Sequence, residues 1–585
     1  MKTSSRVDRH RAAHGRCGDR NILALHGREI AFWLACLCLL GALLPGHAEA
    51  APRPIPGQPT PRPKPLAKLL VVIVLDNFRA DYLTRFAPYF GPRGFQRLQQ
   101  KGASLTGHYG QYVTFTASGH ALILSGSYPA SNGIGANRNF NQRTHEFESA
   151  VADPEARALG ASEGPGADLS PRNLLGSTVG DELVVASGGQ SKVVTLAMKG
   201  RAAILLGGHK SAAFWYDEAT GEMTSSTYYF DRLPEWVSRF NAGHPADRYF
   251  GQQWERVLPA EAYRATPDDQ EGEIPVRDFG RTFPHPLTGG LTAPGPRFYA
   301  LLPLTPQANA LEFAFAQAAV EAEQLGQRGV TDLLGISLSA PDYVAHSFGP
   351  FSHEAQDMAV RADRQIGEFL DWLEARLGRD AVVVLVTSDH GSAPLPEHMR
   401  KQGIRAGRIP RKALLGTIEA ALVGRFGAGP WIVAAEEPYV HLDRARLTAQ
   451  HVDPEAAERV AAEAARTVEG VSGAFPHHQL ARGEVPATPL GQAVLRSFHA
   501  ARAGDLFLTT DPYYIWGPYG DRDGGTTHGT AHRYDSEVPV LLLGPGVVPG
   551  WCGEREMVDL APTLSHLLGL ATPAAAEGQI LPCVR

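Results

Sequence analysis

The chain has 585 residues, 43% of them hydrophobic, which is enough to bury a large core in one big α/β domain with insertions or in two domains. The formal net charge is −6 and the pI is near 6.4, so composition gives no reason to expect a nucleic acid or an anionic membrane surface as partner. These values favour a soluble enzyme or a binding protein.

The first fifty residues predict an export signal. Basic residues precede an apolar run at 31–44, and the small residues Ala48 and Ala50 fit a cleavage site that would leave a mature chain starting near Ala51. The run is roughly fourteen residues long, shorter than the ~20 that a membrane-spanning helix needs, so no permanent membrane anchor is expected. The sequence therefore predicts a periplasmic or secreted protein.

Residues 51–66 alternate proline with polar residues and predict an extended linker. The catalytic domain is predicted at 67–575, followed by a short tail at 576–585. Cys552 and Cys583 lie near the C-terminus, as one disulfide of an exported protein or as two separate buried thiols. Neither cysteine belongs to a metal-binding cluster, so a metal here would be held by oxygen and imidazole nitrogen.

Five apolar runs rich in β-branched residues predict strands that are buried on both faces of a sheet, at 69–75, 192–198, 332–338, 381–386 and 538–543. The amphipathic segment 353–377 predicts a crossover helix between the third and fourth strands, which makes a right-handed parallel unit. A further helix is predicted within 559–568. The expected fold is α/β, with a mainly parallel central sheet flanked by helices.

Two stretches, about 205–325 and 391–510, differ from this pattern. They are rich in glycine, proline and aromatic residues and show only short helical patterns, such as 453–468 with its N-terminal Asp and Pro. We predict that both are large insertions that roof the active site.

Several acidic and basic residues follow these apolar strands. Asp76, Lys199, Asp342 and Asp389 each come just after one, and ligands collect at the carboxyl ends of strands in open sheets. Asp and His without Cys suit zinc or another divalent first-row ion, and the spacing of Asp342 and His346 lets both side chains turn toward one ion. The sequence therefore predicts a metal site at this edge of the sheet.

His390, adjacent to Asp389, and His528 in GGTTHGT complete a candidate two-metal set. Two-metal sites place their ions roughly 3.5–4 Å apart, so that one stabilises the attacking oxygen and the other the leaving oxygen. Any one of these fragments alone is more often a structural acid or a surface histidine. Together and in this order they predict phosphoryl transfer.

Thr116 in TFTASGH is the candidate nucleophile, because contact with a divalent cation would lower the pKa of its hydroxyl. Residues 118–125 have the composition of a short helix, whose N-terminal amides would face the phosphoryl oxygens. Thr114 and Ser118 are alternative hydroxyls.

The motifs TxTAxGH, Lys-x-Arg, DxxxH, DHG and THG, in this order after a strand that ends in Asp, resemble those of the alkaline phosphatase superfamily. Within it the chain is most similar to the phosphate-irrepressible, threonine-nucleophile alkaline phosphatases of bacterial periplasms. The resemblance runs from about residue 68 to 570 and includes VDLAPTLSHLLGL. One departure is Ser118, which stands where the family often has proline.

This resemblance implies two Zn²⁺ per chain and a role for each motif residue. One zinc would be held by Asp342, His346 and His528, and the other by Asp76, Asp389 and His390, with Thr116 bound to the latter. Asn137, Lys199 and Arg201 would contact the transferred phosphoryl group. The implied function is hydrolysis of small phosphate monoesters through a phosphothreonine, releasing inorganic phosphate.

A phosphodiesterase or nucleotide pyrophosphatase of the same superfamily is the main alternative, because it would share every metal ligand. Lys199 and Arg201 favour monoesters, since a monoester dianion carries more charge on its non-bridging oxygens. A sulfatase is disfavoured because no cysteine lies in a Cys-x-Pro/Ala-x-Arg context, and a non-catalytic zinc or phosphate binder would not need the Thr116 hydroxyl. A monomer is the default expectation, although the sequence identifies neither oligomeric state nor physiological substrate. His120, His209 and His353 are further histidines that could support a metal ligand or have no role in the site, and the sequence does not distinguish among them.

Overall fold

The computed structural model describes residues 67–160, 168–276 and 278–585. The predicted export signal and proline-rich linker lie outside the described residues. Within the described parts, no helix combines the length and the apolar character needed to cross a bilayer.

The strands of the described residues belong to one large sheet and four small ones. In chain order they are β1 (Leu69–Leu75), β2 (Ala103–His108), β3 (Arg138–Asn141), β4 (Glu146–Ser149), β5 (Ala158–Leu159), β6 (Val193–Ala197), β7 (Ala212–Asp217), β8 (Glu222–Ser226), β9 (Gln253–Trp254), β10 (His285–Pro286), β11 (Asp332–Leu338), β12 (Val382–Thr387), β13 (Gly407–Arg408), β14 (Ile432–Glu436), β15 (Tyr439–Leu442), β16 (Val471–Pro476), β17 (Leu506–Thr510), β18 (Tyr514–Ile515), β19 (Glu537–Leu543) and β20 (Gly550–Glu556).

The α-helices range from single turns to the long helix α11. In chain order they are α1 (Tyr82–Arg85), α2 (Phe95–Lys101), α3 (Thr116–Ser125), α4 (Pro129–Asn132), α5 (Val179–Ala186), α6 (Gly200–Gly207), α7 (Glu235–Ala242), α8 (Pro296–Leu301), α9 (Pro306–Glu323), α10 (Ala340–Phe348), α11 (His353–Leu377), α12 (Pro396–Lys401), α13 (Arg411–Phe426), α14 (Arg444–Ala449), α15 (Pro454–Ala465), α16 (His477–Ala481), α17 (Pro489–Ser497), α18 (Arg533–Ser536) and α19 (Leu560–Leu568).

The large sheet has ten strands in the order β20-β2-β19-β12-β1-β11-β6-β7-β8-β5. At its centre β1 pairs in parallel with β11 on one side and β12 on the other, and β6 and β7 continue in the same direction beyond β11. The predicted strand at 538–543 is β19, which runs antiparallel between β12 and β2. The predicted α/β class with a mainly parallel central sheet is confirmed.

The two faces of β1 belong to different cores, as expected for a strand covered on both sides. Leu69, Val71 and Ile73 pack into the core that contains the apolar faces of α9 and α11. Leu70 and Val72, with the opposite orientation, pack into the core that contains α3 and α19. The continuous apolar sequence of β1 follows directly from this double burial.

The two stretches predicted to be insertions differ in structure. The stretch 205–325 contributes β7 and β8 to the large sheet, and α9 to the core beside β11. The stretch 391–510 contributes the four-stranded sheet β14-β15-β17-β16, which packs with α13 and α15 around a separate core. Their role as a roof over the active site stays a prediction.

Cys552 and Cys583 form a disulfide. It links β20, the outermost strand of the large sheet beside β2, to the C-terminal tail. The two alternatives left open by the sequence are thereby resolved in favour of the disulfide.

Candidate active site

The carboxyl ends of the parallel strands gather the predicted acidic residues. Asp76 directly follows β1, Asp342 lies in the first turn of α10 after β11, and Asp389 follows β12. The Asp76 amide donates to the Leu338 carbonyl at 3.0 Å, which continues the β1–β11 pairing up to the site. All three carboxylates are buried.

Three histidines point their Nε2 atoms at these carboxylates. His346 Nε2 lies 3.3 Å from Asp342 Oδ1, His528 Nε2 lies 3.4 Å from the same oxygen, and His390 Nε2 lies 3.4 Å from Asp76 Oδ1. Each Nδ1–H donates instead to a backbone carbonyl at 2.7–3.0 Å, namely those of Thr526, Thr114 and Gly391 respectively. Such a bond fixes the tautomer and the ring orientation that a metal ligand needs.

The candidate ligand atoms form two overlapping groups. One contains Asp76, Asp389 and His390, and the other contains Asp342, His390 and His528, with the ligand atoms of each group within 4.8 Å of one another. His390 therefore belongs to both groups. His346 belongs to neither of them, but its Nε2 lies 3.3 Å from Asp342 Oδ1. The division of ligands between two ions that the resemblance implies stays a prediction.

Four buried polar atoms at this point make no hydrogen bond within the described residues: Asp76 Oδ1, Asp389 Oδ2, His390 Nε2 and Thr116 Oγ1. Burying such atoms without a partner is costly, so they are expected to have one. A divalent cation bound by carboxylate oxygen and imidazole nitrogen would satisfy the atoms of Asp76, Asp389 and His390, which form one of the two candidate ligand groups. The donor set fits a metal centre.

The ionisation states also suit ion binding. Burial lowers the pKa of His346 to about 4 and that of His390 to about 3, so both rings are neutral at neutral pH. Burial alone would raise the pKa of Asp342, but His346 and Lys199 outweigh it and hold this pKa well below its usual value. The pKa of Asp76 is raised well above its usual value, first by burial and then by the charge of Asp389. Bringing a cation to this pair of carboxylates would relieve their repulsion.

Thr116 is the first residue of α3. The sequence predicted a helix only from residue 118, but the Ser118 hydroxyl accepts from the Phe115 amide at 3.1 Å and caps the helix two residues earlier. Gly119 makes the close approach of this helix to β12 possible, since a Cβ there would lie 2.3 Å from the Asp389 carbonyl oxygen. The glycine therefore allows α3, which begins with Thr116, to pack closely against Asp389.

The two alternative hydroxyls are already engaged. Thr114 Oγ1 donates to the Thr530 carbonyl at 2.9 Å, and Ser118 Oγ lies 3.0 Å from the Val113 carbonyl, to which it can donate. Thr116 Oγ1 is buried with no such partner in the described residues. Of the three hydroxyls, only that of Thr116 is available to a ligand.

The three predicted phosphate-binding residues lie at two helix starts, Asn137 at that of α3, and Lys199 and Arg201 at that of α6, which follows β6. Asn137 Oδ1 accepts from the Ala117 amide at 3.0 Å. Lys199 Nζ forms ion pairs with Asp76 at 2.6 Å and with Asp342, and these carboxylates outweigh burial and raise the Lys199 pKa, so the ammonium stays charged. Arg201 Nε is buried and has no hydrogen-bond partner within the described chain, which leaves a donor for a ligand.

Sequence reasoning missed Asn77 as a site residue. Its backbone N–H donates to Asp389 Oδ1 at 3.1 Å, and its side-chain Nδ2 donates to Asp342 Oδ1 at 2.9 Å. One residue thus links an acid from each of the two candidate ligand groups. It adopts φ +63°, a left-handed conformation that asparagine tolerates better than most residues. An asparagine directly after the strand-end Asp76 was the available signal.

Of the histidines that the sequence could not rank, only His120 meets the candidate ligands. Its Nε2 lies 2.8 Å from Ser337 Oγ, and its Nδ1 lies 2.8 Å from the Thr116 carbonyl oxygen and 3.2 Å from Asp389 Oδ2. His209 instead contacts Asp181, and His353 contacts Asp268. His120 thus supports both the nucleophile candidate and a ligand candidate.

Two tyrosines border the site. Tyr343 OH donates to Glu218 Oε1 at 3.1 Å, and Lys199 Nζ lies 5.1 Å from the centre of the Tyr343 ring. Burial and the Glu218 charge raise the pKa of Tyr343 well above its usual value, so the phenol stays protonated and acts as donor. Tyr519 stacks parallel on His346, with ring centres 5.0 Å apart.

Comparisons with known proteins agree with this fold. Residues 70–535 match the family described as type I phosphodiesterase/nucleotide pyrophosphatase. The chain is 33% identical over 559 residues to alkaline phosphatase PhoV of Synechococcus elongatus, covering 93% of this chain and 98% of PhoV. It is also 35% identical over 514 residues to a Myroides odoratus protein named calcium-transporting ATPase, covering 86% of this chain and 92% of that protein. The crystal structure of wild-type alkaline phosphatase PafA superposes with a TM-score of 0.82 at 31% identity, covering 90% of this chain and all of PafA.

Proposed function

The chain belongs to the type I phosphodiesterase/nucleotide pyrophosphatase family and is a hydrolase of phosphoric monoesters, and we propose that it works through a phosphothreonine at Thr116 on a two-zinc site. The observation that carries the proposal is the state of the Thr116 hydroxyl. It is buried with no hydrogen-bond partner in the described residues, at the start of the helix whose Gly119 packs against Asp389, whereas Thr114 and Ser118 are engaged.

The residues that would hold the ions are those of the two overlapping groups together with His346. They are Asp76, Asp342, His346, Asp389, His390 and His528. When bound, divalent ions at such a site lower the pKa of a hydroxyl nucleophile and stabilise charge on the leaving oxygen. Zinc is proposed because carboxylate and imidazole ligands without cysteine suit it.

Different residues of the chain carry out nucleophilic attack and phosphate binding. The Thr116 oxygen attacks phosphorus, the P–O bond to the alcohol breaks, and the phosphoryl group is carried on Thr116 until water hydrolyses it to phosphate. Asn137, Lys199 and Arg201 hold the non-bridging oxygens during both steps, where charge-assisted hydrogen bonds are stronger than neutral ones. The first turn of α3 presents further backbone donors to the same oxygens.

Cleavage of diesters is the second candidate, since the matched family includes phosphodiesterases. The buried ammonium of Lys199 and the unpaired Arg201 Nε argue for monoesters. A monoester dianion gains more from two cations than a diester monoanion does.

Export to the periplasm or the medium completes the proposal. The disulfide between Cys552 and Cys583 supports it, because disulfides persist in oxidising compartments. N-terminal sequencing of protein recovered from the native host tests it, with a start near Ala51 expected and a start at Met1 contradicting it.

One purified sample tests the metal and the substrate class together. Elemental analysis should find about two zinc ions per chain, chelation should abolish activity, and added zinc should restore it. The enzyme should cleave an aryl phosphate faster than an aryl methyl phosphate. Full activity in metal-free protein would overturn the metal site, and faster cleavage of the diester would overturn the monoesterase.

A further inference from the structure

Beside the predicted phosphate-binding cations lies a tyrosine that no sequence motif singled out. Tyr343 follows Asp342 in α10, and its ring lies 5.1 Å from the Lys199 ammonium nitrogen. This is a cation–π contact, which is strongest where water is excluded. The Lys199 side chain is 4% exposed, so the contact is of the desolvated kind.

Glu218 holds the tyrosine from the other side. The Tyr343 hydroxyl donates to Glu218 Oε1 at 3.1 Å. Glu218 directly follows β7, which pairs in parallel with β6 so that Trp215 lies opposite Ala197. The strand register therefore brings Glu218 to the same sheet edge as Lys199 and Arg201.

The Lys199 side chain is long and flexible, and its ion pairs attract the ammonium group toward two carboxylates. Two carboxylates, those of Asp76 and Asp342, accept from its ammonium group. A lysine side chain carries about 2 kcal/mol of rotamer entropy, so a contact on the side of the ammonium away from these carboxylates adds to what keeps it in one position. The electron-rich face of the uncharged Tyr343 ring attracts the cation, so the direct contact on this side is not a third carboxylate that would compete with phosphate.

We propose that Tyr343, held in place by Glu218, is a positioning residue that fixes the Lys199 ammonium against the phosphoryl oxygens and so strengthens the preference for phosphate monoesters. The inference rests on the proposed monoesterase function. Because Tyr343 acts through Lys199, its contribution should exist only while Lys199 is present.

The test is a double-mutant cycle between position 343 and position 199. Tyr343→Leu removes the ring and the hydroxyl, Tyr343→Phe removes only the hydroxyl, and Glu218→Ala removes the acceptor. Each is made in the wild type and in Lys199→Ala, and kcat/KM is measured for an aryl phosphate and an aryl methyl phosphate. Tyr514→Phe is the matched control, because the Tyr514 hydroxyl donates to Glu469 at 2.7 Å in a different core.

In the wild-type background Tyr343→Leu should lower kcat/KM for the monoester about three- to thirtyfold. Tyr343→Phe and Glu218→Ala should cost less, about two- to fivefold, since the ring remains. The diester should lose less in each case, and Tyr514→Phe should change neither rate. In Lys199→Ala the substitutions at 343 and 218 should have no further effect.

Two results would overturn the positioning role: no loss in the wild-type background, or an equal loss when Lys199 is absent. Loss of bound metal in Tyr343→Phe would also overturn it, because the tyrosine would then serve Asp342. A wild type that prefers the diester would reject the proposed function instead, and the cycle with Lys199 could still be read on that substrate.

Discussion

Arg201 gives the most specific test of the proposed phosphate contacts, because truncating its side chain does not remove an ion pair with the candidate metal ligands Asp76 and Asp342. Arg201 Nε is buried and makes no hydrogen bond within the described residues, whereas Lys199 is ion-paired with Asp76 and Asp342. Truncation of Arg201 should therefore remove contacts to the phosphoryl group and little else.

The size of the effect follows from the strength of such contacts. A hydrogen bond to a charged group contributes about 1.5–3 kcal/mol, which corresponds to a factor of roughly 10–150 in kcat/KM if it is made fully in the transition state. Arg201→Ala should lower kcat/KM for an aryl phosphate by this factor, and the double variant Lys199→Ala/Arg201→Ala by at least about a hundredfold. Arg201→Lys should fall between, since it keeps the charge but loses the planar fork.

The assay compares kcat/KM for an aryl phosphate with that for an aryl methyl phosphate, which has one negative charge fewer. The loss should be much smaller for the methyl ester. Arg379→Ala is the control, because that side chain is 66% exposed and pairs with Glu374 at 3.4 Å. An equal loss on both esters would mean that Arg201 maintains the site without selecting the substrate, and the diesterase alternative would gain support.

Two further predictions concern the nucleophile helix and a buried acid. Gly119→Ala should lower kcat by orders of magnitude in folded protein. The new Cβ would lie 2.3 Å from the Asp389 carbonyl oxygen, so α3 and its first residue Thr116 would move away from the candidate metal ligands. A wild-type kcat in this variant would contradict the packing argument. Burial and the charge of Glu354 raise the pKa of Glu273 from 4.5 to about 9 in the folded protein. Between these two pH values the folded protein binds a proton that the unfolded chain releases. The contribution of Glu273 to the free energy of unfolding is therefore full below pH 4.5 and is lost as the pH rises to 9. In urea unfolding, the free energy of unfolding of wild type relative to Glu273→Gln should thus decrease by about 3 kcal/mol between pH 6 and pH 8, and a pH-independent difference would contradict the shift.

Sequence patterns predicted the central elements where one physical cause dominates. The strands at 69–75 and 332–338 and the helix at 353–377 have the predicted bounds. Double-sided burial makes the strands continuously apolar, and the helix begins after a Ser352 cap and ends at Gly378 with φ +86°. Local signals of this kind are independent of distant contacts.

Strand β8 could not be predicted in this way, because its buried residues are polar. Thr224, Ser225 and Ser226 are buried, and their hydroxyls donate to the carbonyls of Leu159, Ala213 and Leu169. These acceptors are distant in sequence, so no apolar alternation marks the strand. Asn77 was missed for the same reason, since its two acidic partners follow other strands and are distant in sequence.

The candidate site could be assembled from motif order, but its geometry could not. The sequence named the three acids and three histidines that form the candidate ligand set, because each follows a strand or lies in a distinctive motif, but it did not assign His120 or Glu218 to the site. The position of His390 between two ligand groups depends on how β1, β11 and β12 align. That register is a property of the folded sheet.

Identification of the phosphorylated residue tests the central claim most directly. The enzyme is mixed with an aryl phosphate, quenched in acid during turnover, digested and mapped by mass spectrometry, with Thr116→Ala as the control. One phosphate is expected on Thr116 and none in Thr116→Ala, whose rate should fall by orders of magnitude, whereas Thr116→Ser should keep part of the activity. Phosphate on Thr114 or Ser118, or full activity in Thr116→Ala, would contradict the claim.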